Sequence, residues 1–296
     1  MLTHARFALL AILASIASIS ALAASIDDDT SVWNFSDGSI TLQCVGPDGE
    51  PILGAELQFA AWDYDMPPEA KHDIVRARAG ANGKHVFENL SGTSRYSVYA
   101  TSGEMGCWNA ELGVKPSEKH RTVKLKLDIY NSVSGRIVDD QGNPVPDVHI
   151  RHRGVIEGAV TDAQGSFRVR HISEQKEFEF YKPGFGWINS GLIPTTRTME
   201  IMLPRGGLCE FTVLDANQKP VHGAKVTYQG GNVYYGGVAM ASVITDEAGK
   251  AVSTWLPANT TTDIHASYER DGYYWNCSAK PEVRAGETIQ VILEPK

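Results

Sequence analysis

One pattern recurs three times in this chain: a β-prone run, a polar turn carrying glycine or proline, and a second β-prone run. It is clearest at residues 134–148 (SGRIVDDQGNPVPDV) and returns at residues 46–57 (GPDGEPILGAEL) and 213–226 (VLDANQKPVHGAKV). A repeat this short cannot enclose a large single core, so the chain must be an array of small β units. No long helical periodicity follows residue 23, and short runs with close turn signals predict β-sandwiches.

Other pieces recur with the turn. Residues 40–44 (ITLQC) alternate apolar and polar side chains, as a half-buried strand does. Residues 121–127, 197–203 and 287–293 alternate likewise and predict a closing strand for each unit. Between them lies a hairpin, at 160–169 (VTDAQGSFRV) and 244–252 (ITDEAGKAV), where Gly165 and Gly249 supply the positive φ that such turns need. Residues 79–86 of the first unit keep Gly83 but lack the Thr-Asp pair. Each unit also has a tryptophan in a late strand, Trp108, Trp187 and Trp275, expected to pack between its two sheets.

The resulting division is a signal peptide at 1–23, an acidic leader at 24–38, and three sandwiches at 39–128, 129–203 and 204–296. The first segment has one positive charge at Arg6, an apolar run to Ile19, and the small residues Ala21-Leu-Ala before its end. It predicts export to the periplasm or the cell exterior, with no transmembrane span in the mature chain. With Arg6 removed, 35 acidic residues face 26 basic ones, a charge of −9 that disfavours nucleic acid as a partner.

The pattern G-x-[IV]-x-D-x-x-G-x-P, then T-D-x-x-G, then a closing T-x-x-[LIV]-x-L strand, resembles the carboxypeptidase regulatory-like domain. The resemblance is closest at 129–203, good at 204–296 and weaker at 30–128. It implies an all-β chain of three tandem Ig-like, transthyretin-like antiparallel sandwiches, of seven strands each. Such domains are usually accessories to enzymes, receptors and surface proteins, and their fold is grouped with carbohydrate-binding sandwiches. The resemblance therefore admits a glycan or a surface protein as partner and specifies neither.

Catalytic patterns are wanting. His171 and Glu174 have the H-x-x-E spacing of a zinc site, but they fall where the first unit has Asn89 to Gly92, a turn after the hairpin. No H-x-H pair, nucleophile elbow or phosphate loop occurs. The expectation is a module with no enzymatic activity, cofactor or metal, which binds a partner or serves as an adhesin-type stalk.

Two further expectations concern particular residues. In an exported chain the four cysteines predict bridges. Aligning the units on Pro51 and Pro220, and on Trp108 and Trp275, pairs Cys44 with Cys107 and Cys209 with Cys277, as if one bridge had slid between antiparallel strands. From the turn proline to the hairpin glycine is 21 residues in the middle unit, 29 in the third and 32 in the first. The third unit's insertion brackets Tyr234 and Tyr235 with glycines, and with Tyr273 and Tyr274 these are the candidate ligand contacts.

Overall fold

The computed structural model describes residues 36–62, 74–115, 117–152, 156–172, 176–193, 198–232, 240–270 and 273–295. The expected signal peptide and most of the acidic leader lie outside this set. The described residues are all β, with no helix among them.

The first unit runs β1 (Gly38–Val45), β2 (Glu56–Trp62), β3 (Val75–Arg78), β4 (Lys84–Leu90), β5 (Arg95–Ser102), β6 (Met105–Leu112) and β7 (His120–Lys126). The second runs β8 (Asn131–Val138), β9 (His149–His152), β10 (Ile156–Val160), β11 (Ser166–Ile172), β12 (Lys176–Tyr181), β13 (Ile188–Ile193) and β14 (Thr198–Met202). The third has β15 (Gly206–Val213), β16 (Lys225–Gln229), β17 (Gly231–Asn232), β18 (Met240–Ile244), β19 (Lys250–Val252), β20 (Leu256–Pro257), β21 (Ile264–Arg270), β22 (Tyr273–Ala279) and β23 (Thr288–Leu293).

Each unit stacks two sheets. In the first, β4-β1-β7 faces β3-β2-β5-β6, and the other units repeat the arrangement as β11-β8-β14 with β10-β9-β12-β13 and as β19-β15-β23 with β18-β16-β21-β22. One pair in each unit departs from the antiparallel expectation, because the closing strand lies parallel to the first: β7 on β1, β14 on β8 and β23 on β15. A parallel neighbour needs a crossover rather than a hairpin. The strands of the opposite sheet supply it, returning the chain to its starting edge.

Alternation builds the cores. Ile40, Leu42 and Cys44 are wholly buried while Thr41 and Gln43 between them are half-buried, so β1 presents its apolar side to the facing sheet. Three separate clusters result, one per unit, with Leu57 and Leu125 in the first, Phe178 and Phe180 in the second, and Phe211 and Tyr228 in the third.

The recurring turn residues have identifiable tasks. Asp139 Oδ1 accepts hydrogen bonds from the N–H groups of Gln141 and Asn143, and Asp162, Asp215 and Asp246 each clamp their own turns in the same way. The threonine of the Thr-Asp pair is a buried staple. Thr161 Oγ1 donates to Val145 O at 2.8 Å and accepts from Val148 N at 2.9 Å; Thr245 does the same to Val221 O and Ala224 N. Ala79 holds the corresponding place in the first unit, where backbone bonds from Ala79 N to Ala55 O and from Gly54 N to Ala79 O remain. That is why the pattern weakens there without loss of the fold.

Candidate functional site at the junctions between units

The most built-up polar constellation lies between the first and second units. Tyr99 on β5 and Trp108 on β6 face each other across the ladder, on the outer side of their sheet, with ring centroids 4.0 Å apart. Trp108 is only 7% exposed, because it packs with Ala60 into the core cluster of the second unit. Its indole Nε1 donates to the carbonyl of Arg170 at 3.0 Å. The next residue, His171, is held at both ring nitrogens: Nδ1 lies 2.6 Å from Tyr99 Oη, and Nε2 lies 3.2 Å from the carbonyl of Glu104. An imidazole carrying its proton on Nε2 satisfies both contacts, with the phenol donating to Nδ1.

His171 has φ +61°, an uncommon conformation for a residue with a side chain. This kink interrupts the β11–β8 ladder between Val169 and Ile172 and turns the ring out of the second unit against the first. Gly106 makes room, since a Cβ there would stand 2.4 Å from the imidazole. Burial is the main cause that pushes the His171 pKa below the ordinary imidazole value; the Arg170 charge adds to it, while the Glu104 carbonyl and carboxylate oppose it. Burial also pushes the Tyr99 phenol up to about 12, so it remains a proton donor across the physiological range. Beside this contact, Glu56, Gln58, Arg76, Arg78, Tyr99 and Thr101 line a groove of about 360 Å3 on the outer face of the first unit.

The second junction is made differently. Trp187, 1% exposed, and Tyr181 belong to the second unit but pack in the core cluster of the third. Backbone crosses here as well: β13 pairs in parallel with β17, Trp187 N donates to Trp255 O at 2.8 Å, and Gly231 N donates to Trp187 O at 2.9 Å. Gly186 lies so close to Pro257 that a Cβ would come within 2.5 Å of its Cα.

The expected placement of the tryptophans is thus corrected. Trp108 and Trp187 do not lie between the sheets of their own units; each is carried on the outer face into the next core. Trp275 sits opposite Tyr268, in phase with the inward Ala266, and is 40% exposed. The shared feature occupies three registers, which sequence spacing alone does not resolve.

The four cysteines are unbonded here, and the same registers bear on the alignment from which their pairing was expected. Cys107 and Cys277 are equivalent, paired with Ala100 and Ala266, whose partners Leu57 and Val226 each follow the turn proline by six residues. The first cysteines are not: Val45 and Leu214 bridge to the equivalent prolines, so the counterpart of Cys44 is Val213, four residues from Cys209. Four strand residues span about 13 Å, against the roughly 4.4–6.8 Å between Cα atoms that a bridge spans. The compensating slide inferred from the tryptophans does not exist. Burial, and then neighbouring Cys107, push the Cys44 thiol up to about 11, and burial does the same to Cys209.

Of the candidate ligand contacts, Tyr234 and Tyr235 lie outside the described residues. Tyr273 and Tyr274 open β22, and Tyr274 is 78% exposed. Glu174 also lies outside, and among the described residues no group of three or more His, Cys, Asp or Glu could hold a metal ion. Among them, too, no helix is long and apolar enough to cross a membrane. Sequence reading missed Tyr99, Gly106 and His171 as a set. One signal was present: six residues after the hairpin glycine stand Asn89 and His171, both left-handed, and both of residue types enriched in that conformation.

No family model matches the chain, and neither does any curated protein. Among solved structures it is similar to the Bacillus anthracis TIE protein, at 16% identity and a TM-score of 0.27, covering 88% of this chain and 51% of that one. The chain therefore spans about half the length of that protein. It is also similar to a streptococcal ancillary pilin, at 10% identity and a TM-score of 0.26, covering 88% and 99%, and to the shaft pilin SpaA of Lactobacillus rhamnosus GG, at 10% and 0.24, covering 88% and 98%. At these identities and scores the likeness carries no functional argument.

Proposed function

We propose that this chain is an exported, non-catalytic structural module, a rod of three sandwiches whose joints are made by side chains of one unit seated in the core of the next. The observation that carries this reading is the seating of Trp108 and Trp187. Domains joined by linkers alone move relative to one another by default, whereas a buried aromatic contact couples them. Small-angle scattering of the mature protein at pH 7.5 tests it. One elongated particle, of the same maximum dimension in 0.1 M and 1 M salt, is expected; a broad ensemble of inter-unit distances would end the spacer reading.

A second reading, recognition of a glycan or another surface protein by the third unit, rests on the exposed ring of Tyr274. It requires that a glycan array or surface-protein capture find a ligand that Tyr274→Ala loses. Export, to the periplasm or beyond the cell, rests on residues 1–23.

An oxidising compartment would close one bridge, Cys44 to Cys107. Both side chains turn into the first unit's core cluster, and the Cys44 thiol feels its neighbour. A loop of more than sixty residues makes this worth about 4 kcal/mol in the chain-entropy model. Because the buried Cys44 thiol resists ionisation, the bond should form during folding rather than after it. Non-reducing peptide mapping should join Cys44 to Cys107 and leave Cys209 and Cys277 open to alkylation in denaturant. A Cys209–Cys277 peptide would refute the register argument.

A further inference from the structure

The two joints are built from unlike materials. Backbone crosses the second junction, with the β13–β17 pair and the Trp187 and Gly231 amides. The first junction is held by hydrogen bonds that involve side chains: Tyr99 to His171, Trp108 to Arg170 O and His171 to Glu104 O between the packed faces, with Tyr130 Oη to Lys126 O and Ile129 N to Asp128 Oδ1 beside the linker. Two of the bonds between the packed faces end on one titratable ring. A joint of this kind separates by rotamer changes and loss of packing, while the other must break a ladder.

We propose that the first junction is a hinge, closed while His171 is neutral and loosened by its protonation, and that the second junction stays shut over the same pH range. In the closed joint Nδ1 accepts from Tyr99 and Nε2 donates to Glu104 O. A second proton on Nδ1 removes the acceptor that the phenol uses and forces Tyr99 to reverse its hydroxyl. It also leaves a charge in a place only 7% exposed, beside the guanidinium of Arg170. The groups facing the ring are Tyr99 from β5, Glu104 from the β5–β6 turn and Arg170 from its own strand. Asp128 lies at the linker, where its Oδ1 accepts from Ile129 N. Only Glu104 favours the charged ring at close range, and burial with Arg170 outweighs it.

The sign follows from linkage. In an opened joint His171 meets water and titrates near the ordinary value of about 6.5; in the closed joint its pKa is lower. Closure is therefore fully supported above about pH 6.5 and loses support as the pH falls through the window below it. Opening exposes Trp108 and withdraws it from the edge of the second unit's core, while the strands of each unit stay paired.

The test uses the whole mature chain, with small-angle scattering and tryptophan fluorescence between pH 8 and pH 5, and far-UV circular dichroism alongside. The expected result is a rise in radius of gyration and a red shift in emission as the pH falls, with an unchanged dichroism spectrum. His171→Asn, which keeps the left-handed backbone that Asn89 adopts in the first unit, should give a radius that no longer responds to pH. Tyr99→Phe removes the donor to Nδ1 and should move the wild-type midpoint to higher pH; this arm stands even if the histidine variant fails to fold. A wild-type radius independent of pH would overturn the hinge, as would a response that survives in His171→Asn, a loss of dichroism that tracks it, or a Tyr99→Phe midpoint that does not rise. The proposal rests on the junctions described for the rod, but reads a difference between pH values rather than the shape at pH 7.5, so the two fail separately.

Discussion

Replacing Trp187 with alanine should unfold the third unit selectively, even though residue 187 belongs to the second. The indole is 1% exposed among Phe211, Val226, Tyr228 and Ile264. Emptying such a place costs about 3–5 kcal/mol. The ring Nε1 has no hydrogen-bond partner among the described residues, so what is lost is packing and the effect belongs to the cavity. A domain of this size shifts its midpoint by roughly 4–8 °C per kcal/mol. Calorimetry should therefore show a separate transition, more than about 10 °C below the rest, while the second unit's own cluster around Phe178 and Phe180 melts as before. Trp187→Phe should recover part of the loss. A destabilisation below about 1 kcal/mol, or one confined to the second unit, would mean that the junction does not share a core.

Gly165→Ala should destabilise the second unit by more than the left-handed backbone alone can explain. The residue has φ +72°, which costs an L side chain about 1–2 kcal/mol. A Cβ there would also stand 2.4 Å from Ile137 O on β8 and 3.1 Å from Val145 N after the turn that follows it, both backbone atoms. Neither can swing aside as a side chain could, so the hairpin would have to lift from the first strand, breaking the bond from Ile137 N to Gly165 O. Gly142→Ala is the control: its φ is +82°, but no heavy atom lies within 4 Å of the added Cβ, so it bears the backbone strain alone. Urea midpoints should rank wild type above Gly142→Ala, and that well above Gly165→Ala. Equal losses would show that the close approach contributes nothing. Gly83 and Gly249 stand in the same relation to Cys44 O and Val213 O, so the result carries to all three units.

These two residues mark how far sequence reading reaches. Gly165 was legible because its requirement is local: a turn needs positive φ, glycine meets it, and the Thr-Asp pair before it announces the hairpin. The alternating strands were legible for the same reason, and so was the all-β class. Trp187 was visible as a recurring residue, but its destination was not. A step of one position along β13 moves a side chain from its own core to the next one, since Ile188 faces inward and Trp187 outward. The argument that paired Cys209 with Cys277 met the same difficulty, because it was aligned on tryptophans that occupy three different registers.

Sequence by itself determined the repeated unit, its turns, its strand alternation and its glycine positions, because each of these is settled within a few residues by backbone sterics and side-chain period. Only the tertiary structure decided which face each tryptophan takes, that Cys44 and Cys209 stand four residues out of register, and that Tyr99, Trp108 and His171 meet. Those depend on strand pairing and on the packing of one unit against the next, where Tyr99 and Trp108 meet residues 72 and 62 positions away and no local preference specifies the geometry.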